Sequence, residues 1–392
     1  MVKILAITPI IGSTGDAVNE RQVITAASRY SKRVFVITPI SIKDVIRRSY
    51  KMYLSYRLSN TKMLLIPFVL LPYNRLWVLN FMIFILYSLM LSIIAYILDL
   101  RIAFDLIYVR DPRFALFISF FKRLSKKTFV KIGAIVEEEI HTSFLRRLMK
   151  LIVCSIDRHV MKRVAGIVVN SAEFAKRLVL RRQFLSKKII ALPPGITWSI
   201  IDIVKRYCPK RKRDVKDEIV VGFLGWLVRR EEVGFLCDIA AELNRRGYKA
   251  KLKVVGDGPL RKYLINRCLD KGVEIEITGF LPHHRALCSA RKEFDVLALP
   301  RIRSETNSSI VPIKVVEALA LGIPVVVTDL PVYKRLEGKG LYTSKRTPKH
   351  FADIILKLLS TTCHSIDYGF LRTYSYIYNV RKFLRIALGN KS

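Results

Sequence analysis

Apolar runs of strand length alternate with amphipathic segments of helix length almost from the first residue. A parallel sheet requires this alternation, because a parallel strand must be followed by a crossover before the next can pair. Residues 2 to 8 and 33 to 38 form two such runs, with a loop and a helical segment from Val18 to Tyr30 between them. Runs at 104 to 109, 129 to 136, 166 to 170 and 188 to 192 continue the same sheet. The stretch Asp202 to Asp217 then interrupts the pattern with Lys205-Arg206, Pro209 and Lys210-Arg211-Lys212-Arg213, the composition of a solvated linker. Beyond it the alternation restarts: strand 219 to 224, helix 231 to 246, strand 250 to 255, helix 259 to 271, strands 273 to 278 and 294 to 299, helix 312 to 321, strand 323 to 327. A chain of 392 residues is long enough for two cores. The reading is two α/β domains, residues 1–198 and 218–362, joined by a basic linker at 199–217.

Composition narrows the function classes. A hydrophobic share of 51%, with 18 glycines, 15 prolines and no low-complexity tract, excludes a disordered or fibrous chain. Against 31 Asp and Glu stand 68 Lys and Arg, a net charge of +37 that implies an anionic partner. A solvated basic surface, nucleic acid and an anionic membrane leaflet all fit that charge. Nucleic acid ranks below the leaflet, since no helix-turn-helix or RNA-recognition signature is present. Cys154, Cys208, Cys237, Cys268, Cys288 and Cys363 are scattered, with no CxxC pair and no His at metal-ligand spacing. They read as reduced packing residues. One Lys precedes the first apolar run and no cleavage site follows, which points to a cytoplasmic protein.

Residues 76 to 98 carry no charge over twenty-three positions, the length of a membrane span. A span here would separate strands that must pair in one sheet. The remaining readings are a long apolar helix lying on or dipping into one leaflet, or a fully buried core helix. The leaflet is favoured because a helix covering a sheet normally keeps a polar outer stripe. The run Met63 to Leu71 and the cations Arg47, Arg48, Lys51, Arg57 and Lys62 would assist it.

The densest chemistry lies at Pro312-Ile313-Lys314-Val315-Val316-Glu317-Ala318-Leu319-Ala320-Leu321-Gly322. Pro312 suits the start of a helix and Gly322 the position just past its end. The amides of a helix N-terminus seat a diphosphate. Lys314 and Glu317, three apart, share a face from which a cation can meet phosphate and a carboxylate can meet ribose hydroxyls. Standing alone, the two would read as a solvated helix pair. Upstream, Gly222 to Arg230, Val254-Val255-Gly256-Asp257-Gly258-Pro259 and Thr278-Gly279-Phe280-Leu281 are each a strand running into a glycine turn. In open parallel sheets ligands bind at those strand ends.

In this order, these turns resemble the donor domain of retaining glycosyltransferases of the GT-B fold, specifically glycosyltransferase family 4. Ile11-Gly12-Ser13-Thr14-Gly15 falls where that family keeps a glycine loop, and Leu192-Pro193-Pro194-Gly195-Ile196 where it has a Pro-x-Gly turn. The resemblance implies two Rossmann-like domains with parallel sheets facing a central cleft, and a C-terminal helical segment, 363–392, crossing back to the first domain. It implies transfer of a hexose from a nucleotide-diphosphate sugar, with retention and without a metal. The apolar 76 to 98 segment and the basic surface fit a lipid-linked or other acceptor at the inner face of the cell membrane, with a protein or polysaccharide acceptor left open. Donor contacts are expected at Gly12, Gly15, Gly225, Arg229, Arg230, Gly256, Asp257, Gly258, Phe280, Ser309, Ile310, Val311, Lys314 and Glu317.

Several positions depart from the family. Glu317 matches the second of two glutamates separated by seven residues, but Ser309 stands at the first, with Glu305 four residues earlier. Branches with Pro-x-Lys before the second Glu are more similar, and there the backbone amides of Ser308 to Val311 would hold the sugar. The family's phosphate-binding Arg and Lys fall on Trp226 and Glu231, with Arg229 and Arg230 nearby to compensate. On the acceptor side, Glu137-Glu138-Glu139 and His141 stand where the family often has a His. Glu137, His141 and Ser309 are the catalytic candidates. The carboxylates are read either as acceptor ligands or a base, or as salt-bridge partners. A catalytically silent scaffold remains the alternative.

Overall fold

Strands built from Val, Ile and Leu with little alternation of polarity must be covered on both faces. Both sheets are of this kind. The computed structural model describes residues 2–10, 15–41, 60–68, 77–133, 144–181, 188–210, 218–304, 307–360 and 366–389. The chain divides into two compact units, Met1–Pro193 with Tyr376–Ser392, and Pro194–Ser375. Each contains one parallel sheet, seven-stranded in the first and six-stranded in the second among the described residues.

In the first unit the strands are β1 (Val2–Ile7), β2 (Ser31–Ser41), β3 (Thr61–Phe68), β4 (Leu106–Arg110), β5 (Thr128–Ile132), β6 (Gly166–Val169) and β7 (Lys188–Ala191), in the order β3-β2-β1-β4-β5-β6-β7. Its helices are α1 (Gly15–Ser28), α2 (Trp77–Ile102), α3 (Phe144–Arg163) and α4 (Ala172–Arg181). The chain starts in the middle, runs outward to β3, and crosses back to lay β4 on the other side of β1, with Ile4 between Val34 and Leu106. That crossing makes the β1/β4 edge a topological switch point.

A carboxylate marks it. Glu20 of α1 is fully buried and accepts from Arg110 Nη1 at 2.7 Å, Lys131 Nζ at 2.8 Å, the Tyr108 hydroxyl at 2.9 Å and Thr8 Oγ1 at 3.2 Å. Burial alone would raise its pKa, but the charges of Lys131 and Arg110, with hydrogen bonds from Lys131 and Tyr108, bring it down to about 2. The last helix, Tyr376–Leu388, belongs to this unit. Its Tyr376 hydroxyl meets Asn19 of α1, and Phe383 packs edge-on against Tyr108 and Phe129.

The 26-residue α2 is turned inside out. Tyr87, Ser88, Leu91, Ser92, Ala95 and Asp99 are buried, whereas Met82, Leu86, Ile93, Ile97 and Leu100 are 45 to 64% exposed. The buried polar groups are satisfied. The Tyr87 hydroxyl donates to Ile66 O, Ser88 to Arg113 O and Ser92 to Ser88 O, and Asp99 pairs with Arg123 and Lys127. The helix therefore has a polar stripe, facing inward. It is not a fully buried core helix. The strands before and after it, β3 and β4, lie in one sheet.

The second unit holds β8 (Ile219–Leu224), β9 (Ala250–Val255), β10 (Glu274–Ile277), β11 (Val296–Leu299), β12 (Val325–Thr328) and β13 (Leu341–Ser344), in the order β10-β9-β8-β11-β12-β13. Helices α5 (Trp198–Tyr207), α6 (Gly234–Arg245), α7 (Arg261–Asp270), α8 (His283–Glu293), α9 (Ile313–Ala320) and α10 (Pro348–Ser360) cover it. The switch point is repeated at β8/β11, where Val221 pairs with Leu252 on one side and Val296 on the other.

Three sequence expectations are corrected. The linker expected at 199–217 begins with helix α5, whose Ile201 and Val204 are core residues of the second unit, so Lys205 and Arg206 lie on an amphipathic helix; residues 211–217 lie outside the described residues. The run from Met63 includes edge strand β3 through Phe68, because its backbone pairs with β2 from Val34 to Ser41. The cysteines are not all thiols. Cys208 is bridged to Cys288 and Cys237 to Cys268, across 80 and 31 residues, as helices α5 and α8, and α6 and α7, come together; Cys154 stays outside these bridges. The bridges also remove the redox support for a cytoplasmic compartment.

The Glu20 cluster makes a stability prediction. A folded-state pKa below the usual carboxylate value contributes stability that is present above pH 4.5 and lost as pH falls toward 2. Glu20→Gln should cost roughly 3 kcal/mol at pH 7, the loss expected when one partner of a buried ion pair is removed, and should flatten the decline between pH 4.5 and 2. Denaturant titrations across that range test this; a variant as stable as wild type at pH 7 would show that the cluster is dispensable.

Candidate functional site

At the carboxyl edge of the second sheet, the turns after β8 and β9 interlock. Gly225 N–H donates to Val255 O at 2.9 Å, Leu227 N–H to Asp257 O at 2.8 Å and Leu260 N–H to Leu227 O at 3.2 Å. Glycine is required by both conformation and space. Gly225 has φ +126° and Gly256 φ +145°, and a Cβ on Gly256 would lie 2.0 Å from the Gly225 carbonyl oxygen. A Cβ on Gly258 would lie 2.5 Å from Leu227 N. Asp257 caps the same turn, accepting from Gly258 N–H at 2.8 Å and from Arg261 at 3.3 Å.

Helix α9 begins behind these turns. Pro312 is its N-cap, one position earlier than expected. Gly322 closes it in a left-handed turn at φ +82°, with Gly322 N–H on Leu319 O and Ile323 N–H on Ala318 O. Lys314 in its first turn places its ammonium where a Gly225 Cβ would meet it at 2.9 Å, and 4.4 Å from the Phe223 ring centre. One turn on, Glu317 is buried and shares a hydrogen bond of 2.7 Å with His283 Nε2 of α8. Ser309, Ile310 and Val311 lead into the helix; Ser309 is fully buried and Val311 packs on the core.

Glu231 stands at one of the two positions where the family resemblance expects a phosphate-binding cation. It is buried and salt-bridged to Lys314 at 3.2 Å, and Arg301 meets both its oxygens at 2.5 and 3.0 Å. Burial would raise its pKa, but Lys314 and Arg301 hold it at about 2. Burial brings Lys314 down to about 8, with Glu231 opposing and Arg301 adding to the fall. Arg230 stands 3.8 Å from Glu231, and both Arg229 and Arg230 are exposed. At the other expected phosphate position, Trp226 stacks on the exposed Phe280, ring centres 5.1 Å apart.

Of the residues expected at the donor site, Gly225, Arg229, Arg230, Gly256, Asp257, Gly258, Phe280, Ser309, Ile310, Val311, Lys314 and Glu317 all lie in this second unit. Gly15 opens α1 instead of sitting in the loop before it. Gly12, Glu137, His141 and Glu305 lie outside the described residues. His283 and Arg301 were missed. Arg301 had a signal, since it follows the end of strand β11 at the switch point. His283 had none, because its partner is 34 residues away.

Residues 218–361 match the family model described as glycosyl transferases group 1. The chain is 23% identical over 227 residues to alpha-D-kanosaminyltransferase of Streptomyces kanamyceticus, covering 56% of this chain and 57% of that one. It is 28% identical over 159 residues to the uncharacterized glycosyltransferase MJ1607 of Methanocaldococcus jannaschii, covering 39% and 37%. The matched stretches span 32 to 57% of the curated relatives' length. Among solved structures, Anabaena Alr3699/HepE in complex with UDP and glucose superposes with a TM-score of 0.65 at 16% identity, covering all of both chains.

The fold is that of a GT-B glycosyltransferase, and the glycosyl transferases group 1 match lies within the second unit. Both curated relatives are named as transferases.

The interlocked turns predict a contrast. Gly256→Ala should destabilise the second unit by roughly 2 kcal/mol or more, since a main-chain clash adds to the conformational strain. Gly247→Ala, at φ +87° with nothing within 4 Å of the added carbon, should cost only the strain of a left-handed alanine, roughly 1 to 2 kcal/mol, and less than Gly256→Ala. Equal losses in thermal unfolding would mean that the close approach to Gly225 is unimportant.

Proposed function

We propose that the chain moves a hexose from a nucleotide-diphosphate sugar onto a lipid-linked or other glycan acceptor at a membrane surface, with retained anomeric configuration and without a metal ion. The observation that carries this is one helix, α9, whose Lys314 lies beside the Gly225 turn and whose Glu317 is held by His283 one turn on. The departing diphosphate is anionic. Amides at the α9 N-terminus, Lys314 and the exposed Arg229 and Arg230 supply the positive charge that stabilises it. Glu317 takes the ribose hydroxyls, and the Ser308 to Val311 backbone the sugar. On the acceptor side the candidates are Glu137, as hydroxyl ligand or base, and His141, both outside the described residues. The double-glycine turns, Lys314 and Glu317 all lie within the stretch matched by the family model.

Trp226 and Glu231 favour a second reading, a GT-B scaffold that binds without turnover. Release of nucleoside diphosphate from a panel of nucleotide sugars, with membrane extract as acceptor, separates the two. Glu317→Ala should weaken nucleotide-sugar affinity by roughly 1 to 3 kcal/mol, the usual cost of removing a charged hydrogen-bond partner. Turnover should persist in EDTA. Unchanged affinity for every nucleotide, or loss in EDTA restored by manganese, would count against the site as drawn.

The membrane part of the reading is supported by α2. Its outward face presents Met82, Leu86, Ile93, Ile97 and Leu100, while exposed Lys62, Arg101, Lys122 and Lys126 in the same unit suit an anionic leaflet. Anionic lipid is a property of the cytoplasmic leaflet, so the reading takes the enzyme as peripheral to the inner face of the membrane. Binding to anionic vesicles should weaken with salt but persist, because the apolar contact is unscreened. Replacing exposed Leu86, Ile93 and Leu100 together with Gln should abolish the salt-resistant part while the first unit stays folded. Unfolding of that variant, or complete release of wild type at high salt, would refute the docking face.

A further inference from the structure

Two buried cations share one carboxylate at the β8/β11 switch point. The side chains of Glu231, Arg301 and Lys314 are 4, 10 and 13% exposed, and they come from the turn after β8, the end of β11 and the first turn of α9. A purely structural pair needs one cation. Arg301 alone satisfies Glu231, engaging both oxygens at 2.5 and 3.0 Å. The second cation therefore carries an uncompensated charge out of water, which is costly unless something else meets it. Lys314 has three N–H donors, and Glu231 Oε2 at 3.2 Å takes one of them. Its ammonium stands against the Gly225 turn, at the start of a helix whose amides favour anions.

We propose that Glu231 is a positioning residue for the donor: anchored by Arg301, it holds the Lys314 ammonium beside Gly225, where the diphosphate oxygens bind. The inference rests on the glycosyltransferase reading and assigns a task to the carboxylate that stands where the family resemblance calls for a cation. Glu231 never touches the nucleotide. It keeps a buried lysine aimed and protonated. Burial already draws Lys314 down to about 8 with Glu231 in place, and Arg301 pushes the same way. Without the carboxylate the opposing influence is gone, and the ammonium would be lost nearer neutrality. The other groups around Lys314 do not replace it. Arg230 adds positive charge, the Tyr333 phenol beside Arg301 is pushed up to about 12 and stays neutral, and Glu317 on the same helix is engaged by His283.

The test is calorimetric binding of nucleoside diphosphates to the full chain between pH 6.5 and 9, the nucleotide's own titration being common to all variants. Wild-type affinity should hold to pH 7.5 and fall through about 8, as the Lys314 ammonium deprotonates. Glu231→Gln should begin that fall at least about one pH unit earlier, because each unit of pKa shift moves the profile by one pH unit. At pH 8 its affinity should then be about fivefold below wild type, because the protonated fraction of Lys314 falls from about one half to about one eleventh. Glu231→Asp, which retains the charge but retracts it, should fold readily and give an intermediate profile. Lys314→Arg should remove the fall near pH 8, since guanidinium does not titrate there. A merely structural Glu231 would lower thermal stability without moving the pH of half-loss. Superimposable profiles for wild type, Glu231→Gln and Glu231→Asp would overturn the proposal. Absence of nucleotide binding to wild type at any pH would instead overturn the reading on which it rests.

Discussion

In both units a parallel sheet begins at a central strand, grows to one side and then crosses to the other. Parallel connection puts every strand's carboxyl end on one edge, and the crossing opens a gap there between neighbouring turns. The chemistry of each unit is gathered at that gap. In the first, Thr8 after β1 and Tyr108, Arg110 and Lys131 from β4 and β5 surround Glu20. In the second, the turn after β8, the end of β11 and the start of α9 surround Glu231. The two clusters share a composition: a buried carboxylate held well below its ordinary pKa by two cations. A carboxylate is the group that lets cations from several strand ends converge without mutual repulsion.

The turns at the second gap constrain the rest of that site. Gly225 and Gly256 touch main chain to main chain, and Lys314 fits against Gly225 because no side chain is there. Helix α9 is thereby held with Lys314 on one side and Glu317 against His283 on the other. The helix is short, but its left-handed exit at Gly322 sets where it ends and where β12 begins.

Helix α2 solves a different problem. Its serines, Tyr87 and Asp99 are satisfied by partners in the same unit, leaving an apolar face outward. Such a face is costly in water and favourable against hydrocarbon. Because β3 and β4 flank it within one sheet, the helix can meet a bilayer from one side without crossing it.

The periodicity and glycine punctuation of the chain were enough to read two parallel α/β units, most strand positions, and both ends of α9. These are local properties: a strand's burial on both faces and a turn's need for left-handed backbone are recorded in adjacent residues. The apolar length of α2 was equally plain. What tertiary structure decided was partnership over long separations. The first part of the segment expected as linker became α5 because Ile201 and Val204 found a core to enter. Cys208 and Cys288 were joined across 80 residues because their helices pack together. Which face of α2 turned inward depended on Arg123, Lys127 and the carbonyl groups waiting for its polar atoms. Glu231 read in sequence as a missing phosphate ligand. Only folding brought Arg301 from 70 and Lys314 from 83 residues away, and a carboxylate between two buried cations has a charge environment that no spacing along the chain can express.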